Sequence, residues 1–325
     1  MDNLNTKKII FCGSDAISLP MLEHLNKSSE ISICGVLSQP DRRSGRGREL
    51  KANPVKEWAT QKGFEVRSPA RPDQAEIDWI KERAADILLV MAYGHILSDD
   101  FLNSTPLGCY NLHGSLLPAY RGASPIETAL ASGDKKTGVT LMRMVRKMDA
   151  GPIIGHKSVE ITEEDTGTTL RCKLGEVCVP LIDQHIEALI EGSAEETFQS
   201  ETKVTYCRKL TKGDSILDFS LDARLLECRV RAFNAWPGSV FFYEGIALRV
   251  GKCRAVPDQG LAPGELTFEN ELFIGTGRGT LQVLELQKPG GKMLAVSDFL
   301  RGYTLKNGSQ LDFPNSIPLV SKKFQ

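Results

Sequence analysis

A doubly wound α/β domain with a largely parallel sheet, followed by a small antiparallel β-barrel, is the fold that this 325-residue sequence predicts. Three observations predict it. The N-terminal part alternates short apolar runs with longer amphipathic stretches, the pattern of strands joined by crossover helices. Beyond residue 205 the hydrophobic period shortens to two, and strand candidates follow one another across turn signals. The length also exceeds the usual size of one compact core, so two domains are expected, 1–205 and 206–325.

The strand candidates of the first domain are Lys7–Cys12, Ile31–Leu37, Asp86–Ala92 and Cys109–His113. Ile31–Leu37 and Ile87–Ala92 are apolar nearly throughout, as central strands covered on both faces are. The first strand runs into Gly13-Ser14-Asp15, which is not the GxGxxG of a dinucleotide fingerprint, so the sheet is Rossmann-like without NAD or FAD. Gly138–Val145 is a further strand, and Thr166–Gly192 carries a long helical pattern. A polar segment containing Glu195-Glu196 then leads to Tyr206 and Leu210, where the domain boundary falls.

In the second domain Ser220 can cap a helix whose Leu226, Val230 and Phe233 share one face. Short strands follow at Ser239–Tyr243, Ala247–Gly251, Leu272–Thr276 and Leu281–Leu286, separated by turns such as Glu244-Gly245 and Gly277-Arg278-Gly279. Pro289-Gly290-Gly291-Lys292 lacks the upstream glycine of a phosphate loop, which disfavours an NTPase.

Composition narrows the function classes. Forty Lys and Arg against 41 Asp and Glu give a formal charge of -1, so any polyanion site must come from local clustering. Eight cysteines are scattered without a CxxC pair or a Cys/His spacing suited to zinc, which fits reduced thiols and no metal. The apolar run Ile9–Cys12 is too short for a signal peptide and no stretch reaches membrane-spanning length. A cytoplasmic monomer that does not engage membranes is expected.

The segment Asn111-Leu112-His113-Gly114-Ser115-Leu116-Leu117-Pro118-Ala119-Tyr120-Arg121-Gly122 is the most informative. If Cys109–His113 is a strand, Asn111 and His113 share a face near its carboxyl end, where open α/β sheets bind ligands. Ser124, Pro125 and Glu127 read as a capping box that opens the next helix. Asp149, in Met148-Asp149-Ala150-Gly151, is the third polar candidate. Singly, each has an ordinary structural reading as a turn residue or a satisfied, half-buried histidine. Together they suit transfer of an acyl-type group between nitrogens. An Asn amide and an imidazolium can stabilise the oxyanion of a tetrahedral intermediate, and a carboxylate can set the His protonation state and accept a proton from an amine.

Asn-x-His-x-Ser-Leu-Leu-Pro followed by Arg-Gly, with Gly-Val-Thr and Met-Asp-Ala-Gly downstream, resembles the signature of the formyltetrahydrofolate-dependent formyltransferases, from Lys7 to about Leu300. The resemblance is strongest to the members that act on a tRNA-borne amino acid. It implies 10-formyltetrahydrofolate as co-substrate, initiator methionyl-tRNA as acceptor, no metal, and an OB-like barrel at the C-terminus. Under it, Asn111, His113 and Asp149 match the catalytic trio. Ser115, Leu116, Leu117 and Pro118 match the folate-contacting loop, and Met91-Ala92-Tyr93-Gly94 resembles the lining of the pterin pocket, which puts Met91 and Tyr93 in contact with the cofactor.

A second segment bears on the acceptor. Asp41-Arg42-Arg43-Ser44-Gly45-Arg46-Gly47-Arg48-Glu49-Leu50-Lys51 carries five basic residues, and a cationic Gly/Ser-rich loop suits phosphate contacts, although charge runs are often merely solvated. It is similar to the family's Asp-Arg-x-x-Gly-Arg-Gly loop, which enters the tRNA acceptor stem. That resemblance implies tRNA contact by Arg42, Arg43, Arg46, Arg48 and Lys51, with Arg42 mattering most. Arg224, Arg231, Arg249, Lys252 and Arg254 offer a second cationic face. Arg231-Ala232-Phe233-Asn234-Ala235-Trp236-Pro237-Gly238 resembles the family's start of the C-terminal domain, with Phe233 and Trp236 read as packing residues. One departure is visible. The family's Gly-Thr-Pro turn is replaced by Gly13-Ser14-Asp15-Ala16-Ile17, which alters the pocket wall there. The rivals are a nucleotide-sugar amine formyltransferase, which generally lacks the Arg-Gly loop, and a formyltetrahydrofolate hydrolase or folate-binding module.

Overall fold

The computed structural model describes residues 6–44 and 49–323. The chain divides into two compact units, the first built from Met1–Arg121, Thr137–Val159 and Arg171–Val204, the second from Gly122–Lys136, Glu160–Leu170 and Thr205–Gln325. No helix among the described residues is long and apolar enough to cross a membrane.

The first unit is organised by a seven-stranded sheet whose order across is Ile153–Glu160, Lys136–Arg143, Cys109–His113, Ile87–Met91, Lys7–Gly13, Ile31–Leu37, Val66–Arg67. The five strands from Cys109–His113 to Val66–Arg67 pair in parallel, and Lys136–Arg143 joins antiparallel, so the sheet is largely parallel as expected. Consecutive residues Ile9, Ile10, Phe11 and Cys12 are all fully buried, which requires cover on both faces. On one face Ile10, Cys12, Leu88 and Val90 cluster with Ile77, Trp79 and Ile80 of the helix Gln74–Glu82, whose first turn is closed by a capping box between Asp73 and Glu76. Each such side chain removed from water contributes about 1.5–3 kcal/mol. On the other face the Sδ of Met91 lies 3.8 Å from the Sγ of Cys178 on the long helix Gly167–Glu191. That helix approaches closely because Gly175 has no side chain: a Cβ there would fall 2.7 Å from the Ile17 carbonyl oxygen.

Boundaries shift slightly from expectation. The long helix ends at Glu191 because Gly192 turns left-handed at φ 71°. The strand Ile153–Glu160 was not expected from the sequence. It lies at the sheet edge with alternating half-exposure, and polar residues interrupt the apolar run that a covered strand shows.

In the second unit the helix Ala223–Ala232 is capped by Asp222, whose side chain accepts from the Arg224 N–H, and not by Ser220. Ser220 is unavailable because its hydroxyl donates to the buried carboxylate of Asp218. Leu226, Val230 and Phe233 are buried as their shared face predicts. The antiparallel sheet runs in the order Val240–Tyr243, Ile246–Val256, Thr280–Gln287, Leu272–Gly275, Glu265–Phe268, Ser309–Gln310 and curls into a half-barrel. Its first hairpin turns on Glu244 and Gly245, both at positive φ (47° and 77°), the two-residue turn that suits strand twist. The second strand does not stop at Gly251. It continues to Val256 through a bulge, and a Cβ at Gly251 would sit 2.6 Å from the Met293 sulfur.

Three further readings are corrected. Ser124 precedes the helix Pro125–Ala131, but at ψ 53° its hydroxyl makes no cap and instead accepts from the Leu210 N–H at 3.3 Å. Trp236 is 53% exposed, so it does not pack. It sits at the outside of a turn that closes where the Gly238 N–H donates to the Phe233 carbonyl. Arg231 and Arg249 donate to the backbone carbonyls of Thr162, Asp165 and Asn234, so both serve the fold of this unit.

Candidate active site

Strand register sets the site. Asn111 pairs with Val90 on one side and Met142 on the other, and His113 ends the strand two residues later on the same face. Both lie within the sheet, 9% and 6% exposed. Beyond His113 the chain folds into a braced loop. The Ser115 hydroxyl donates to the Ala119 carbonyl at 2.6 Å, the Thr140 hydroxyl donates to the Ser115 carbonyl at 2.7 Å, and the Leu117 N–H donates to that hydroxyl at 3.1 Å. The Ser115 hydroxyl is thus taken up by the loop, which leaves Leu116 and Pro118 half-exposed and Leu117 buried.

The loop returns to His113. At Tyr120 the backbone is left-handed (φ 59°), and its carbonyl accepts from His113 Nε2 at 2.9 Å. On the other side of the ring Nδ1 lies 3.7 Å from Asp149 Oδ1. Asp149 too is left-handed, at φ 48°. Neither residue is glycine, and such conformations cost on the order of 1 kcal/mol or more each unless the surroundings hold them. With Nε2–H held by a carbonyl, a second proton on the ring sits on Nδ1, facing a carboxylate. The structure therefore brings His113 and Asp149 together, and Asn111 shares strand and face with His113. The Asn111 amide makes no side-chain hydrogen bond among the described residues, so its N–H groups stand ready for an oxygen.

Met91 and Tyr93 are both buried, Met91 toward Cys178 and Tyr93 in the core with Trp79. The Tyr93 hydroxyl has no partner among the described residues, and burial pushes its phenol well above the ordinary range. Its ring meets the edge of His95 at 4.8 Å. Burial pushes His95 below its ordinary value, with Arg42 adding repulsion.

Arg42 and Arg43 on one strand and Lys51 on the other form an exposed two-stranded ribbon, in which Arg42 pairs with Lys51 and Arg43 with Leu50. Arg46 and Arg48 lie outside the described residues. The Arg42 guanidinium donates to the Gln39 carboxamide oxygen at 2.8 Å, and the Gln39 amide donates to the Tyr93 carbonyl at 3.0 Å. At the departing first turn, Asp15 accepts from the Ile17 N–H and pairs with Arg171 at 3.0 Å, so the turn is held by a carboxylate in place of a proline ring.

Sequence reasoning missed Gln39, Arg121 and Gln199. Arg121 is fully buried, and its Nε and Nη2 both donate to the Gln199 carboxamide oxygen. Arg121 stood within the segment already singled out, as the Arg of its Arg-Gly pair, without a role assigned to it; Gln199 carried no signal. Among the described residues no three His, Cys, Asp or Glu side chains converge as metal ligands.

Two family descriptions match the chain, Formyl transferase over residues 7–182 and Formyl transferase, C-terminal domain, over residues 209–304. Among curated proteins, the methionyl-tRNA formyltransferase of Methylobacillus flagellatus is 42% identical over 308 residues, covering 93% of this chain and 99% of the relative. That of Bdellovibrio bacteriovorus is 35% identical, covering 94% and 98%. Among solved structures, a sugar 3N-formyl transferase, WlaRD, crystallised with dTDP and 5-N-formyl-THF, superposes with a TM-score of 0.64 at 17% identity, covering 89% of this chain and all of that one. HypX from Aquifex aeolicus gives 0.60 at 14% identity, covering 93% and 49%. At such identities these structures speak to the fold alone.

Proposed function

Since the chain belongs to the methionyl-tRNA formyltransferase family, we propose that it moves the formyl group of 10-formyltetrahydrofolate onto the amino group of methionyl initiator tRNA, in the cytoplasm, as a monomer and without a metal. The observation that carries the chemistry is that His113, with the Asp149 carboxylate 3.7 Å from its Nδ1, shares the end of one strand with Asn111, whose amide has no side-chain hydrogen bond among the described residues. The methionyl nitrogen attacks the formyl carbon, and the carbonyl electron pair moves to oxygen. Asn111 and the Nδ1–H of a doubly protonated His113 donate to that oxyanion, while the Asp149 carboxylate beside that nitrogen takes the proton that the amine gives up. Collapse of the intermediate breaks the bond to the folate N10, and the proton is returned there. Donors set in advance for a developing oxyanion are worth about 10²–10³ in kcat.

Residues 1–205 supply this chemistry and residues 206–325 hold the tRNA. Folate lies against Ser115, Leu116, Leu117 and Pro118 and the turn from Met91 to Tyr93, where the braced loop presents half-exposed apolar side chains. The exposed Arg42, Arg43 and Lys51, with Arg46 and Arg48, take the acceptor stem. The test is transfer of formyl from 10-formyltetrahydrofolate to methionyl initiator tRNA, with an amino-sugar nucleotide as the competing acceptor. Transfer to the tRNA is expected; transfer to the sugar alone would overturn the reading.

A further inference from the structure

The residues that hold His113 from either side, Tyr120 and Asp149, are tied together by a side chain outside the trio. The Gln199 carboxamide oxygen accepts from Arg121 Nε at 3.0 Å and Nη2 at 2.9 Å. Its nitrogen donates to the Asp149 carbonyl at 2.8 Å and the Gly151 carbonyl at 2.7 Å. Arg121 directly follows Tyr120, whose carbonyl holds Nε2 of His113. One carboxamide therefore spans the two left-handed turns that frame the imidazole, and both its donors and its acceptor are used.

The surroundings show why a neutral carboxamide suits this place. Arg121 is fully buried, and its charge is met by the Gln199 oxygen and by Glu201, which also pairs with Lys147. The Arg121 and Lys147 cations hold the Glu201 carboxyl below its ordinary range. The other end of Gln199 faces two carbonyl oxygens, which only a donor can satisfy. A carboxylate at position 199 keeps the arginine contact but sets negative charge against both carbonyls.

We propose that Gln199 is a positioning residue of the transfer reaction, fixing the Asp149 backbone so that its carboxylate stays on Nδ1 of His113. This rests on the assignment of Asp149 to the chemistry. A carboxylate displaced by about 1 Å costs on the order of 10²-fold, so loss of the two donors is expected to lower kcat by about 10- to 100-fold. The polar atoms of Gln199 are taken up within the protein, so KM for folate and for tRNA should stay within about twofold, a split that uniform loss of binding would not give.

The experiment compares Gln199→Ala, Gln199→Glu, Asp149→Asn and the double variant Asp149→Asn/Gln199→Glu in steady-state transfer, each with a thermal melt. Gln199→Glu retains acceptors for Arg121 and so keeps the protein measurable if Gln199→Ala does not fold. A role exercised through Asp149 predicts that both Gln199 variants lose kcat and that the double variant is no slower than Asp149→Asn alone. Wild-type kcat in the Gln199 variants, or losses that multiply in the double variant, would overturn this inference while leaving the trio intact. Asp149→Asn turning over at the wild-type rate would overturn the trio, and the inference with it.

Discussion

Replacing Asp149 by Asn keeps the size and shape of the side chain and removes its charge. The carboxylate oxygen lies 3.7 Å from His113 Nδ1, and both side chains are largely withdrawn from solvent. Two unit charges at that separation attract by about 4 kcal/mol at an effective dielectric constant of ~20. If that attraction holds the imidazolium in the transition state, its loss at about 1.4 kcal/mol per decade slows the chemical step by about 10²- to 10³-fold. The backbone should stay in place, because the bonds from Gln199 reach the Asp149 and Gly151 carbonyls and not the carboxylate. Single-turnover formyl transfer with folate and methionyl-tRNA both saturating isolates this step. A folate KM within about twofold of wild type is the second expected result, since only the transition-state interaction is removed. A variant with wild-type single-turnover rate would refute the electrostatic role. A variant whose KM rises while kcat holds would place Asp149 in substrate binding instead.

Three further outcomes follow from other parts of the molecule. Arg42→Ala should raise KM for the tRNA and flatten the dependence of binding on salt by about one phosphate contact, leaving folate KM unchanged; an unaltered salt slope would remove Arg42 from the interface. Tyr93→Phe removes a buried hydroxyl that has no partner among the described residues and should raise stability by about 1 kcal/mol in a thermal melt, whereas a drop in stability or a raised folate KM would show that the hydroxyl is engaged. His95 and His185 both lie below their ordinary values through burial, with Arg42 and Lys157 respectively adding to it. The unfolded chain therefore takes up more protons, and stability should fall as the pH drops below about 6.5, the unfolded value. A His95→Gln/His185→Gln variant should lack that limb of a melting-temperature profile, and an unchanged limb would assign it elsewhere.

Much of the first unit was legible because its signals are local. Continuous apolar runs mark Lys7–Gly13, Ile31–Leu37 and Ile87–Met91, and period two along Cys109–His113 is enough to place Asn111 and His113 on one face. The position of Asp149 was legible only as a turn residue; that it meets the imidazole depends on the chain folding back after Arg143. Strands with weak periodicity were less visible. Ile153–Glu160 and Glu265–Phe268 are half-buried and short of apolar periodicity, and Ser220 gave way to Asp222 because a buried Asp218 claims its hydroxyl. Trp236 misled for a related reason: an aromatic residue beside a buried Phe233 reads as core, but the turn at Gly238 leaves it outside. Gln199 was invisible, since a glutamine in a polar segment has no signature until its partners are known.

The site's geometry explains why its strain falls where it does. Ala92, Tyr120 and Asp149 are left-handed at φ 49°, 59° and 48°, and each is a point where the chain turns at or next to a residue of the proposed site. A relaxed turn at Tyr120 would carry its carbonyl away from Nε2 and free the imidazole to rotate or change tautomer, so the strain there keeps Nδ1 as the nitrogen that faces Asp149. A relaxed turn at Asp149 would move the carboxylate off that nitrogen. Since each such conformation persists only when its neighbours over-determine it, the bonds from Gln199 and the brace of Ser115 and Thr140 serve the geometry of the proposed site as much as stability. Asn or Gly at position 120 tests this. Either residue tolerates φ near 59° more readily than Tyr, so a variant that keeps the turn should retain kcat and gain stability, as strain without a side-chain role predicts. Loss of kcat in both variants would show instead that the Tyr120 side chain itself takes part.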